Sequence, residues 1–579
     1  MRSEWGSSGS RSMAGRFRRT HALVAAAIVL AMVGVACGGG SSSGGSTGGS
    51  ASGGVLRIGT SSGLISPNPF VGFNQDDYSM WMYIYPSLLQ YDTSHSPYNY
   101  MGSLADKWEQ APDGLTTTFH IVDGAKWSDG QPLDATDVVF TFDMIQKYAN
   151  GPTGNWAGSV KFLKSITAPD AHTVVAKYDK PSGTSLFDLG LTPILPPQVW
   201  QKYATGDGKG IKTFQNVPEN GQPLTSGGPF EMTKYAKNDI ALLQRNPNWY
   251  GTPPKIDGFG LQFYRDEDAM VTALKTGQLD AINEIPPTSV QTLQSAGMKV
   301  FVGPALSLRD FIINSDPNKV DHRELLNPQV REAMEYAIDR NAIVNTAWLG
   351  YATPGDTIIP AGNATQGQQW HDPAAQPLPY DINKANQILD NLGFKMGSDG
   401  VRVADGHPMD YEVIFPQDEQ GAGDRAFQII QHGFSQIGIK LEQKSLDDSA
   451  TWNAMYCGAG CGYKNFDLAM WDWFPAADPD FILNVLTCAQ WGNWNDTGYC
   501  NKEYDKLYAQ QKSTVDPAAR AKIVYQMQEL AYNDRPYIIL TYDKRLDAWD
   551  QQHWTGFVES VQGIFNNFST QSLTQVHQV

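Results

Sequence analysis

The stretch from Leu104 to Phe142 constrains this chain most, because almost every residue in it has a local structural job. Asp113-Gly114 is a turn dipeptide, and the Thr/Phe alternation that follows reads as a half-buried strand. Ser128-Asp129-Gly130 supplies a second turn. Asp134 is placed to cap a helix, and Asp137 sits in its first turn, where an acid meets the positive helix end. Val138, Val139, Phe142 and Ile145 then form one apolar face. Two strands and a helix are expected, and no residue of the stretch is read as catalytic.

The order Leu104-Ala105-Asp106-Lys107-Trp108-Glu109, Asp113-Gly114-Leu115-Thr116-Thr117-Thr118-Phe119, Trp127-Ser128-Asp129-Gly130 and Ala135-Thr136-Asp137-Val138-Val139-Phe140-Thr141-Phe142 resembles a family signature. The family is that of the extracellular solute-binding proteins of ABC importers, in the class of dipeptide-, oligopeptide- and nickel-binding proteins (family 5). Gly227-Gly228-Pro229-Phe230, Arg245-Asn246-Pro247-Asn248-Trp249-Tyr250, Trp554-Thr555-Gly556-Phe557 and the segments 273–280 and 330–340 are similar to other parts of the family text. The resemblance covers most of residues 55 to 557. It implies an α/β, two-lobed periplasmic-binding-protein-like fold of type II, in the cluster with an extra small domain and a ligand cleft between the lobes. Lobe 1 is expected from 55–90, 222–307 and 541–579, the small domain from 91–221 and lobe 2 from 308–540. Fold analogy names no ligand.

At 579 residues, 41% hydrophobic and 11% aromatic, the chain can bury a sizeable core over two or three domains. Its formal net charge of -17 makes nucleic acid an unfavourable partner and supports solubility. Arg16, Arg18 and Arg19, an apolar run from Ala22 to Val33 and Gly34-Val35-Ala36-Cys37 read as a signal peptide over 1–37, with Met13 a second candidate start. The run is too short to span a bilayer. It resembles a lipoprotein leader, which implies lipid on Cys37 and anchoring to the outer face of the cell membrane, although Gly34 stands where a large aliphatic is usual. Residues 38–54 are almost wholly Gly, Ser and Thr and read as a flexible tether.

Helix signals recur along the chain. Asp266, Asn327 with Pro328, Asp381, and Asp516 with Pro517 mark starts; Gly277 and Gly393 mark ends. Residues 166–177 alternate as one strand, and Tyr537-Ile538-Ile539-Leu540 reads as a buried one. Gly59-Thr60-Ser61-Ser62-Gly63 matches the G-x-S-x-G pattern of hydrolases, but Pro67 and Pro69 replace the required helix, so a loop at a cleft mouth is expected. With no H-E-x-x-H helix either, the chain is not read as an enzyme.

Cys457, Cys461, Cys488 and Cys500 form an even set in an exported chain and read as two disulfides, with zinc the alternative. The pair Cys488 and Cys500 resembles one in dipeptide-binding relatives. Between them and nearby, Trp471-Asp472-Trp473-Phe474-Pro475 and Asp478-Pro479-Asp480 place aromatic faces beside acids, which suits peptide side chains, sugar rings or cations. A buried aromatic core would look the same. In peptide-binding relatives an Asp three residues before the acid of this Asp-Pro motif accepts the peptide α-amino group. That position is Pro475, so the role fails there unless Asp472 or Asp478 takes it.

The candidate ligand-binding residues are Ser62, Asn68, Gly228, Asn314, Trp471, Asp472, Trp473, Asp478 and Trp494. No cofactor and no metal is assigned. The expected function is capture of a peptide or related solute by hinge closure about residues 301–311 and 537–542, as a monomer, for permease and ATPase subunits. Alternatives are an oligosaccharide-binding importer component, a sensing receptor or a secreted hydrolase.

Overall fold

The computed structural model describes residues 53–94, 97–417, 421–455, 464–474, 477–566 and 568–579. The leader, Cys37, residues 38–52 of the tether, Cys457, Cys461 and Pro475 lie outside them.

Two long strands, Lys299–Ile313 and Tyr537–Trp549, pair antiparallel along their length and organise the main mixed sheet. On one flank, Leu468–Trp473 meets the long strands only at Leu308 to Ile313, and Asp410–Pro416 and Lys440–Leu446 follow outward. On the other flank, Ala281–Asn283 meets the long strands only at Ala548 and Trp549, and Val55–Thr60, Gly258–Phe263, Ile240–Arg245 and Phe230–Ala236 follow. Each long strand therefore gives one end to each half of the sheet. Between those ends the register slips at Val302/Ala305, Ala305/Ser307 and Arg309/Asp310. Bulges interrupt the ladder and bend a strand locally.

Each half has its own core. Phe311, Ile313, Leu468, Ile538 and Leu540 pack with Val330, Met334, Phe427, Ile430 and Phe434 in one; Leu56, Ile58 and Phe259 pack with Trp127, Phe119 and Phe142 in the other. The latter joins the main sheet to a four-stranded antiparallel sheet ordered Ala105–Gln110, Thr116–Ile121, Thr173–Tyr178, Leu163–Asp170.

The forty-residue stretch folds as its local chemistry demands. Gly114 makes the hairpin turn at φ 67° and Gly130 the second turn at φ 87°, backbone geometry that glycine adopts without strain. Asp134 accepts from Thr136 N at 2.8 Å while Asp137 accepts from Asp134 N at 2.8 Å, a reciprocal cap for helix Ala135–Lys147. The other expected caps also form: Asp266, Asn327, Asp381 and Asp516 accept from Ala269, Gln329, Lys384 and Ala519 N at 2.7 to 2.9 Å. One expectation differs. Residues 166–177 form two strands, because Asp170 accepts from His172 N at 2.8 Å and turns the chain between Leu163–Asp170 and Thr173–Tyr178.

Candidate functional site

A cavity of ≈ 270 Å³ opens where the loop after strand Val55–Thr60, the segments 155–159 and 187–192, and the wall 471–494 converge. That is more than ten times the ~10–15 Å³ one water needs. Six tryptophans line it: Trp156, Trp348, Trp452, Trp471, Trp473 and Trp494. Trp494 is the hub, with Trp452 5.6 Å, Phe481 5.6 Å and Trp473 6.3 Å away between ring centroids. Its indole N–H donates to Asn155 O at 2.9 Å, tying the wall to the segment opposite. Phe73 stacks on Trp452 at 5.2 Å and 16°. Offset and edge-on packing of this kind adds roughly 0.5–1.5 kcal/mol per pair beyond area burial.

The charged lining is mostly acidic: Asp76, Asp188, Asp472, Asp480, Glu267 and Glu284, with Arg309 as the cation. Several of these groups are already engaged. Lys512 Nζ, fully buried, donates to Asp188 at 2.8 Å and to Asp480 at 2.9 Å. Two buried carboxylates share one ammonium there. Burial and the neighbouring Asp480 push Asp188 up; against burial, Lys512 and Arg520 hold Asp480 below the usual carboxylate range. Asp76 accepts from Thr60 Oγ1 at 2.5 Å and Asn283 Nδ2 at 2.8 Å, and burial pushes it up to about 7 against the pull of Thr60 and Arg545. Glu267 is also pushed up to about 7, by burial first and then by Glu284 and Asp268. Arg309 donates to Asp543 at 2.9 Å and lies 4.7 Å over the Trp348 ring. Asp472 stands opposite Arg309 in the strand pairing.

The cavity takes in Ser62, Trp471, Asp472, Trp473 and Trp494, but not Asn68, Gly228, Asn314 or Asp478. Those four serve the fold. Asn68 Nδ2 donates to Ile211 O and Phe214 O at 2.8 and 2.7 Å. Asn314 does the same toward Lys464 O and Phe466 O at 3.0 and 2.7 Å. Gly228 lets two chain segments meet, since a Cβ there would lie 2.5 Å from Tyr83 O. Asp478 takes both prongs of the Arg520 guanidinium at 2.7 Å, so its charge is already answered. Phe73, Trp348, Trp452, Phe481, Arg309 and the Lys512 cluster escaped the sequence reading. Only Asp480, inside the Asp-Pro-Asp motif, carried a signal.

The single disulfide among the described residues joins Cys488 to Cys500 and closes the loop that carries Trp494. Among those residues, the one close set of three metal-type donors, His322, Glu324 and His407, does not line the cavity.

Known proteins agree with this architecture. The oligopeptide-binding protein AppA from Bacillus subtilis, solved with a nonapeptide, superposes with a TM-score of 0.78 at 21% identity, over 91% of this chain and 99% of AppA. The ABC transporter-associated periplasmic binding protein DppA from Helicobacter pylori, solved with the peptide STSA, gives 0.76 at 20% identity over 91% and 98%. At that identity the likeness establishes the two-lobed α/β fold of type II. In sequence, the glutathione-binding protein GsiB of Escherichia coli K12 is 25% identical over 466 residues, 78% of this chain and 82% of GsiB. Residues 99–494 match the family described as bacterial extracellular solute-binding proteins, family 5 Middle. The chain therefore belongs to family 5 of the bacterial extracellular solute-binding proteins.

Proposed function

We propose that this solute-binding protein is the extracytoplasmic substrate-binding component of an ABC importer and that it captures peptides in the aromatic cavity. The observation that carries the reading is the pairing of six tryptophans with a predominantly acidic lining in one cavity reached from both halves of the main sheet. Aromatic faces take side chains of varied shape, and a carboxylate takes the ammonium of a peptide N-terminus or a cationic side chain. GsiB, DppA and AppA, named or solved as binders of glutathione, a tetrapeptide and a nonapeptide, support a peptide over an oligosaccharide.

Asp472 is the residue assigned to the peptide ammonium. It lines the cavity within the Trp471–Trp473 wall, beside the aromatic faces that would take the peptide's side chains. Capture is by closure of the two halves about strands Lys299–Ile313 and Tyr537–Trp549, whose slipped central register is the place to bend. Ligand touching both halves supplies the differential affinity that shifts the balance to the closed form. Lipid on Cys37 would hold the receptor at the membrane.

A thermal-shift screen of di- to hexapeptides, their N-acetylated forms and oligosaccharides tests the assignment. Ligand at a hundred times its dissociation constant adds about 2.7 kcal/mol of apparent stability. Peptides should stabilise, acetylation should weaken them, and Asp472→Asn should erase the difference between free and acetylated forms. Stabilisation by oligosaccharides alone would overturn the peptide reading; unchanged discrimination in Asp472→Asn would move the ammonium elsewhere.

A further inference from the structure

A second constellation lies away from the cavity. Glu324 sits in the short 3₁₀ turn Arg323–Leu326, and His322, just before it, is in the left-handed region at φ 50°. His407 arrives from the short strand preceding Asp410–Pro416. Folding brings the three together so that one ligand atom from each lies within 4.8 Å of the others. Glu324 Oε1 is 3.4 Å from His322 Nδ1, and Oε2 is 3.5 Å from His407 Nε2. The two imidazoles stand edge to face at 5.0 Å and 85°.

Glu324 carries the strongest signal. Its side chain is 0% exposed, its Oε1 accepts from the Tyr411 hydroxyl at 2.8 Å, and its Oε2 accepts no hydrogen bond. A buried carboxylate oxygen that accepts no hydrogen bond and faces only the His407 ring nitrogen at 3.5 Å is expensive, so a cation is the natural occupant of the space between them. The two histidines are 22% and 38% exposed, which leaves a route from solvent. Bonds of about 2.0–2.1 Å in a tetrahedral zinc site put neighbouring ligand atoms about 3.3–3.4 Å apart, close to the 3.5 Å between Oε2 and His407 Nε2. The surroundings fit as well. Tyr411 fixes the carboxylate through its other oxygen, and Asp467, held by Lys319 at 2.8 Å, has Oδ2 4.0 Å from His322 Nε2, the ring nitrogen that would not bind metal.

We propose that His322 Nδ1, Glu324 and His407 Nε2 bind a divalent transition ion of the zinc type, with solvent as the fourth ligand. Imidazole and carboxylate together suit zinc rather than calcium or magnesium, which take oxygen ligands. Because none of the three lines the cavity, the ion is a clip between the 3₁₀ turn and the short strand His407–Pro408, not a participant in solute binding.

Chelator-treated full-length protein should take up one zinc ion per chain, measured by elemental analysis after gel filtration, and its melting temperature should rise with added zinc. His407→Ala, at a partly exposed position, should weaken zinc binding by at least tenfold, and His322→Ala with His407→Ala should abolish it. Tyr411→Phe should keep the stoichiometry and weaken the affinity by roughly 10- to 100-fold. Cobalt in place of zinc should give tetrahedral visible absorption without a thiolate charge-transfer band. No zinc uptake by the wild type, equal uptake by the double variant, or a thiolate band locating the ion at cysteines would each overturn the proposal.

Discussion

The module built from Leu104 to Phe142 and the cavity wall from Trp452 to Trp494 use their polar groups in opposite ways. In the module, acids close on their own backbone: Asp113, Asp129, Asp134 and Asp137 accept from N–H groups two or three residues away. Around the cavity, the ties are long-range. Lys512 holds Asp188 from 324 positions away, Trp494 reaches Asn155 across 339, and Arg309 meets Asp543 across 234. A family signature of the first kind is a folding device that any member can share. A site of the second kind exists only when distant segments meet, and it is free to differ between members with different solutes.

The comparison predicts unequal damage. The largest loss should follow Lys512→Met, which strands two buried carboxylates, Asp188 and Asp480, that now share one ammonium. Removing one partner of a buried pair costs roughly 3–5 kcal/mol. Chemical denaturation should show that loss, and the double change with Asp188→Asn should recover part of it. A loss below 1 kcal/mol would mean the cavity floor is not held by these ion pairs.

Breaking the disulfide comes next. Cys488→Ser with Cys500→Ser should cost roughly 2–4 kcal/mol, as expected for a loop of this size. Because the loop presents Trp494, peptide affinity should fall with stability. Equal stability with and without reductant would detach the cavity wall from its covalent clip.

The pH response separates the regions further. The folded pKa of Asp76 is raised by burial from 3.8 to about 7, so between those values the native state holds a proton that the unfolded chain has lost. Stability from this group is therefore greatest at low pH and falls as pH rises through that window, by up to about 1.4 kcal/mol per pH unit. Asp76→Asn should remove that part of the slope in melting curves taken from pH 5 to 8. Identical slopes would show that Asp76 is ionised throughout.

The smallest effect belongs to the module. Asp134→Ala removes one cap of helix Ala135–Lys147 and should cost about 1 kcal/mol, with peptide binding unchanged. A shift in peptide affinity would show that the module is coupled to the cavity after all.

The same contrast explains what was legible in the sequence. Caps at Asp134, Asp266, Asn327, Asp381 and Asp516 could be read because cap and helix are neighbours in the chain. The Trp471-Asp472-Trp473 wall could be read because aromatic and acidic residues alternate within one strand. Asn68 and Asn314 lie outside the cavity because each spends its amide on the backbone of a segment more than 140 residues away, a tie that the sequence around them does not announce. Phe73, Trp348 and Trp452 come from three widely separated segments, and nothing local says that they will face one cavity. His322, Glu324 and His407 are hidden for the same reason: their proximity is created by the fold.

The central claim is that the aromatic, acidic cavity holds peptide, and native mass spectrometry of protein purified from its own host tests it most directly. The account predicts added masses that correspond to peptides in the wild type, released on denaturation, and greatly diminished in Trp473→Ala and Asp472→Asn. Cargo of non-peptide mass, or peptide retained equally by both variants, would contradict it.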